Sequence, residues 1–461
     1  MISASARLVD RLRRTPLRAW ATLELGVAEA AAVYMASFLA SAALGVVRQV
    51  LLNARFGLGP EAAAYYAAFR LPETVATLVA GGALTNALIP VLLRATARGG
   101  EEAGQRLVNA TLTLLLCCFA PLCAVAALAA PLFVETILAP GFAPELQQLT
   151  ATLARIMLLE VLLVVAEAAL AAVLVSRNQI LLPAIAVALR NLTLIAGVGV
   201  AFAVPAVGIY GPVVGSIFDA LIQLALLVPG LRRRGFRPRP VWAPRDRDLR
   251  AVVRLLWPNA LSGVANYANS VLDTAFASLT GLTAAVGALT NAWLLAGLPV
   301  RLIGIAIGQA ALPHLANLGA AGRLAELRRA LARALLAALG LSLVAAAALI
   351  ALGRPLIGLL FERGAFDAAA ADLTAWLLSI YALGMPAYVL TEIASRALVA
   401  RFDTLTALGA NLAQLAARTA LLVALVGPLG PAAVPVAHAL AAALETAVLL
   451  AVLRVRVRQG A

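Results

Sequence analysis

Arg48 lies in SAALGVVRQVLLNARFG (41–57), in the middle of an otherwise apolar run. An ionised side chain at mid-bilayer depth costs roughly 2.5–3.5 kcal/mol on insertion scales, so it faces a cavity, a partner or a bound ion. No acid sits within helical reach of Arg48 on its own segment. A planar guanidinium takes phosphate oxygens two at a time, which makes an anionic phosphate group the matching ligand. Arg70 and Glu73 fall three residues apart, on one helix face around Pro72. Further charges in apolar surroundings are Arg155, Glu160, Glu167, Arg190, Asp219, Asp273, Arg301, and Glu392 with Arg396 at i and i+4. Asn86 and Asn291 add uncharged hydrogen-bonding groups to such runs. The candidate cavity set is therefore Arg48, Arg70, Glu73, Asp273, Arg301, Asn86 and Asn291. Pro72 and the Gly81–Gly82 pair of VAGGALTNALIP (79–90) are candidate hinge points.

The elements that must carry these groups follow from composition. Of 461 residues, 63% are hydrophobic and 13% charged, and the mean hydropathy is +0.96. A soluble domain averages about 45–50% apolar and about 25% charged residues. Repeated apolar runs of about 20 residues or more, separated by short polar turns, mark an all-α polytopic membrane protein. The runs predict about twelve transmembrane helices, roughly 27–56, 61–96, 106–138, 146–176, 179–204, 207–231, 248–279, 284–318, 325–360, 368–401, 404–427 and 431–456. The predicted organisation is a basic arm (1–26), an N-lobe of six helices (27–231), a Pro/Arg-rich linker (232–247) and a C-lobe of six helices (248–461).

The net charge is +14, and every cation among the Lys and Arg residues is an arginine. The arginines cluster in the N-terminal arm, after the second, sixth and eighth predicted helices, and at the C-terminal end. By the excess of cations on the cytoplasmic side, both termini and the linker lie in the cytoplasm. The two halves share a nearly constant register. Pro131-Leu132 recurs as Pro355-Leu356, Phe142 as Phe366, Leu149-Thr150 as Leu373-Thr374, and Arg177 as Arg401. Six-helix halves with a cytoplasmic linker preserve topology, so the repeat is parallel and the lobes are related by a pseudo-two-fold axis along the membrane normal. Transporters of that build place their site between the halves and alternate access to it.

Other classes are disfavoured. Cys117, Cys118 and Cys123 share one apolar segment without metal or disulfide spacing. No nucleotide loop, zinc signature or nucleophile elbow is present, and His314 and His438 fall on separate predicted helices. The arginines lack aromatic interleaving, so nucleic acid is not an expected partner. The chain is thus not expected to be an enzyme. Transport would draw on a cargo gradient, on Na⁺ or H⁺, or on the membrane potential, with no other cofactor.

At these residues the chain resembles the MurJ/MviN family of lipid II flippases, within the superfamily of multidrug-and-toxin extruders and polysaccharide exporters. Ser41, Leu44, Gly45, Arg48, Phe56 and Gly57 fall on the family's first-helix pattern. Ala68, Phe69, Arg70, Leu71, Pro72, Gly82, Ala83, Ala87 and Pro90 fall on that of its second helix. ALTNAWLLAGLP (288–299), GIAIGQAALP (304–313), LFERGAFD (360–367) and RALVARFDTLT (396–406) continue the likeness in order. It departs where the family carries further cavity charges, which here are Ala42, Gln49, Thr77, Gly81 and Trp293-Leu294, and no helix is read after the twelfth.

The resemblance implies a flippase for a polyprenyl-diphosphate-linked, lipid II-like precursor in peptidoglycan synthesis, at the cytoplasmic membrane, with Arg48, Arg70 and Arg301 at the head group. Partners implied are the lipid-linked anionic substrate, membrane lipids and cell-wall synthesis proteins, with the chain itself a monomer. Two other functions fit the same residues. An ion-coupled drug, metabolite or polysaccharide-precursor exporter would depend on a carboxylate, Asp273 or Asp219. A transport-inactive scaffold would depend on the linker.

Overall fold

The computed structural model describes residues 26–78, 83–233, 235–305, 323–399 and 404–459, with isolated positions between them. The predicted hinge glycines Gly81 and Gly82, His314 and the N-terminal arm lie outside the described residues. Within these limits the chain is helical, and its one β-type pairing is an isolated bridge between Arg363 and Phe366. The helices are α1 Val27–Phe56, α2 Pro60–Thr77, α3 Ala83–Phe133, α4 Pro144–Val175, α5 Leu181–Ala203 and α6 Tyr210–Arg233. They continue as α7 Arg247–Ser278, α8 Ala284–Val300, α9 Leu324–Phe361, α10 Ala368–Val399, α11 Thr404–Leu429 and α12 Ala433–Gln459.

Several predicted boundaries are placed differently: α2 ends at Thr77 inside predicted helix 2 (61–96), and α8 ends at Val300, followed by a π-helical turn over Arg301–Ile305, inside predicted helix 8 (284–318). Predicted helices 2 and 3 meet inside α3, whose helical geometry breaks only at Gly99 and Gly100. Gly100 adopts φ +70°, a left-handed conformation open to glycine at little cost, so the chain turns there without a loop. Among the described residues, nine apolar helical stretches are long enough to cross a membrane. Two of them, of 55 and 51 residues, are long enough to cross twice.

Two compact units emerge. The first holds residues 1–55, 67–134 and 144–268, the second 56–66, 135–143 and 269–461. In the first, α4 packs along α3 and α6, and α5 pairs with α6. Small residues allow that last approach: a Cβ on Gly197 or on Gly211 would overlap the other's carbonyl oxygen. In the second unit, α10 packs along α9 and α12, and α11 pairs with α12. The same packing scheme is therefore built twice.

The internal repeat also reappears at residue level. α4 and α10 begin and end at positions related by the offset read in the sequence. Thr150 and Thr374 are both fully buried, and each donates its hydroxyl 2.7 Å to the carbonyl four residues earlier. In an apolar helix a threonine satisfies itself this way, without asking a neighbour for a partner. Phe142 and Phe366 are both buried ahead of these helices.

Candidate functional site

In the first unit, α1 rests on α5. Asn191 donates its amide to the Ser41 carbonyl at 2.8 Å and to the Ser41 hydroxyl at 3.2 Å, facing Gly45. Arg55, at the other end of α1, donates to the Ala201 carbonyl. Between these anchors Arg48 is half-buried, and among the described residues no side chain or carbonyl accepts from its guanidinium. The neighbouring Gln49 is buried and donates to Asn53 one turn on, at 3.3 Å.

Arg70 and Glu73 form the ion pair that their spacing predicts, at 3.2 Å, with side chains 22% and 26% exposed. Glu73 is also within hydrogen-bonding range of the Tyr267 hydroxyl, as is Thr77. α2 remains helical through Pro72. Thr74 and Thr77 return their hydroxyls to the carbonyls of Arg70 and Glu73, at 2.7 Å each, around the N–H that proline lacks. Deeper in the unit, Asp219 accepts from Thr193 at 2.9 Å and from Gln223 at 2.7 Å. Glu160 is hydrogen-bonded to Ser216. Arg190 lies close enough to act electrostatically on Glu160, Glu167 and Asp219. Asn86 is exposed.

The second unit is organised differently. Arg418 of α11 is 1% exposed, and its guanidinium donates to Asn269 Oδ1 at 2.8 Å and to Asp273 Oδ1. Asn269 and Asp273 are one turn apart on α7, so one guanidinium spans both. Asp273 is thus held in a direct ion pair with Arg418, a residue absent from the predicted set. Beside it, Trp293 meets Tyr388 edge-on and Tyr381 and His438 at tilted angles, with ring-centroid distances of 4.7–5.7 Å. Asn291 is fully buried on α8. Arg301 is exposed and opens a π-helical turn, Arg301–Ile305, two residues after Pro299. The predicted set is therefore divided: Arg48, Arg70, Glu73 and Asn86 belong to the first unit, Asp273, Asn291 and Arg301 to the second.

A tight turn follows α1. Gly57 has φ +57°, and a Cβ there would overlap the Ala365 carbonyl in the segment between α9 and α10. Gly141, after α3, is equally close to the Ser278 carbonyl at the end of α7. These contacts all lie within the second unit, which takes in residues 56–66 and 135–143.

The chain matches the family described as "Lipid II flippase MurJ" over residues 52–460. It belongs to that family. A probable lipid II flippase MurJ of Rhizobium meliloti (strain 1021) is 32% identical over 377 residues, covering 80% of this chain and 69% of that protein. The lipid II flippase MurJ of Burkholderia cenocepacia is 28% identical over 378 residues, covering 80% and 72%. Among solved structures, lipid II flippase MurJ in an inward closed conformation superposes with a TM-score of 0.79 at 20% identity, covering 91% of this chain and 87% of that one. An inward-facing multidrug resistance transporter of the MATE family gives 0.77 at 14% identity, covering 91% and 95%. At such identities the structural likeness carries the fold, the twelve-helix two-lobe architecture of these transporters.

Proposed function

We propose that this MurJ-family protein translocates a polyprenyl-diphosphate-linked cell-wall precursor of the lipid II type, from the cytoplasmic to the outer leaflet, for peptidoglycan synthesis. Translocation proceeds by alternating access between the two six-helix lobes, with the termini and the linker on the cytoplasmic side. One observation carries the reading. Arg48 holds a full charge within an apolar helix, half-buried and with no acceptor among the described residues. A guanidinium left in that condition is stabilised by an incoming anion, and a diphosphate offers it two oxygens at once. Arg70 is engaged by Glu73 and contributes a weaker attraction, while Arg301 is exposed on its own unit. The protein works as a monomer, with the precursor, membrane lipids and cell-wall synthesis proteins as its partners.

The test is complementation in bacteria depleted of their own lipid II flippase, with membrane levels followed by immunoblot. The wild-type chain is expected to restore growth, and Arg48→Ala, inserted at equal levels, to fail. Rescue by Arg48→Ala equal to wild type would remove Arg48 from cargo binding. Failure of the wild-type chain at full membrane levels would reject the lipid II-type cargo.

A further inference from the structure

The Arg418 site stands apart from the cargo-binding reading. Arg418 is among the largest fully buried side chains of the protein, and it is charged. Its two terminal nitrogens meet Asp273 and Asn269 of α7. One turn earlier on the same face of α11, Gln414 is 5% exposed, and its Oε1 has no donor among the described residues. Tyr388 and His438 complete the surroundings from α10 and α12, each within electrostatic range of Arg418. The α7–α11 seam thus sets a carboxylate and one side-chain amide oxygen against one cation, with a second amide oxygen, Gln414 Oε1, one turn earlier on α11. Carboxylate and amide oxygens are the ligands that hard monovalent and divalent ions take from proteins.

We propose that Arg418 is a tethered cation that occupies this oxygen site permanently, so that the second unit neither binds nor requires a diffusible cation at Asp273. A carboxylate only 26% exposed in a membrane helix is stabilised by a positive partner in every state the unit passes through. A guanidinium fixed to α11 supplies it without exchange with solvent. Asp273 then couples transport to no ion gradient, and the energy for transport enters elsewhere. This assignment is independent of which lipid is carried.

The experiment uses the full chain purified in detergent, and reads its thermal unfolding midpoint. Sodium chloride is compared with N-methyl-D-glucamine chloride at equal ionic strength, with and without methylguanidinium. The wild-type midpoint is expected to be the same in both salts. Arg418→Ala is expected to unfold at lower temperature and to regain stability saturably with methylguanidinium and with Na⁺, because a ligand that binds only the folded state raises its midpoint. Adding Asp273→Asn to that variant is expected to abolish the gain. A saturable Na⁺ stabilisation of the wild type that Asp273→Asn removes would overturn the proposal. So would a folded Arg418→Ala that ignores both cations. If Arg418→Ala yields no folded protein, Arg418→Gln, shorter and uncharged but still an amide donor, passes through the same arms, and the wild-type comparison decides by itself.

Discussion

The two units solve one packing problem with different chemistry. In each, the opening helix lies against the fifth: α1 on α5 in the first unit, α7 on α11 in the second. The first seam is joined by side-chain-to-backbone hydrogen bonds, with the Asn191 amide donating to Ser41 and the Arg55 guanidinium to the Ala201 carbonyl. The second is ionic, with Arg418 held by Asp273 and Asn269. At the offset of the internal repeat, Asp273 corresponds to the uncharged Gln49, which donates to Asn53 on its own helix. Both seams carry an arginine, and the second sets it against a carboxylate of the facing helix. The two units therefore bear loss unequally. Removing a neutral amide leaves a carbonyl short of one donor, whereas removing one partner of a buried ion pair leaves an uncompensated charge.

That inequality can be broken or sharpened by substitution. The largest effect belongs to Arg418→Ala, with an upper limit of about 3–5 kcal/mol in the absence of a replacing cation, since a fully buried side chain is removed and the partly exposed Asp273 loses its counter-charge. Denaturation of the detergent-solubilised protein measures it, and a cost no greater than that of losing the Asn191 amide would erase the distinction between the units. Gly57→Ala comes next. It forces a side chain into φ +57° and against the Ala365 carbonyl, for about 1–2 kcal/mol from the backbone alone. The turn after α1 must then shift, and complementation should fall even where membrane levels hold. Asn191→Ala is expected to cost about 1 kcal/mol, the scale of one buried neutral hydrogen bond. Smallest in stability is Arg48→Ala, expected within about 0.5 kcal/mol of wild type because it removes no hydrogen bond or ion pair to the described residues. A large destabilisation by Arg48→Ala would mean that the arginine is structural, and would bring the first unit's chemistry closer to the second's.

The Pro/Arg-rich segment, which lies within the first unit, shows how a polar stripe can order a linker. Gln105, Asn109 and Thr113 stand one turn apart on α3. They bind the Gly235 and Arg237 carbonyls and the Arg239 and Val241 amides, at 2.8–3.3 Å. Asp246 then accepts from the amides of Asp248 and Leu249, capping the start of α7. The Pro/Arg composition of this stretch identifies a linker. Its docking along α3 depends on side chains about 130 residues away.

Other features divide in the same way. The ends of α4 and α10 fall within two residues of their sequence expectation, because helix length in a bilayer follows from runs of apolar residues and the turns that stop them. The Arg70–Glu73 pair was legible because three residues along a helix is a short-range geometry. Arg418 was not, although the arginine itself is plain in LAQLAARTALL. Its partners are 145 and 149 residues distant, and nothing local distinguishes a buried arginine from one that reaches an interface. The aromatic nest around Trp293 was equally hidden, since it draws Tyr381, Tyr388 and His438 from α10 and α12.

By itself, then, the sequence determined the number and rough limits of the helices, the repeat and the presence of costly charges in apolar surroundings. These depend on solvation and on contacts within a turn or two of helix, which the order of residues specifies directly. Only the tertiary structure decided how each charge is met: Asp273 by a buried arginine, Asp219 by a hydroxyl and an amide, Arg48 by no acceptor among the described residues. Partnership is a property of helices packed side by side, and the packing of small residues such as Gly197 and Gly211 sets which helices those are.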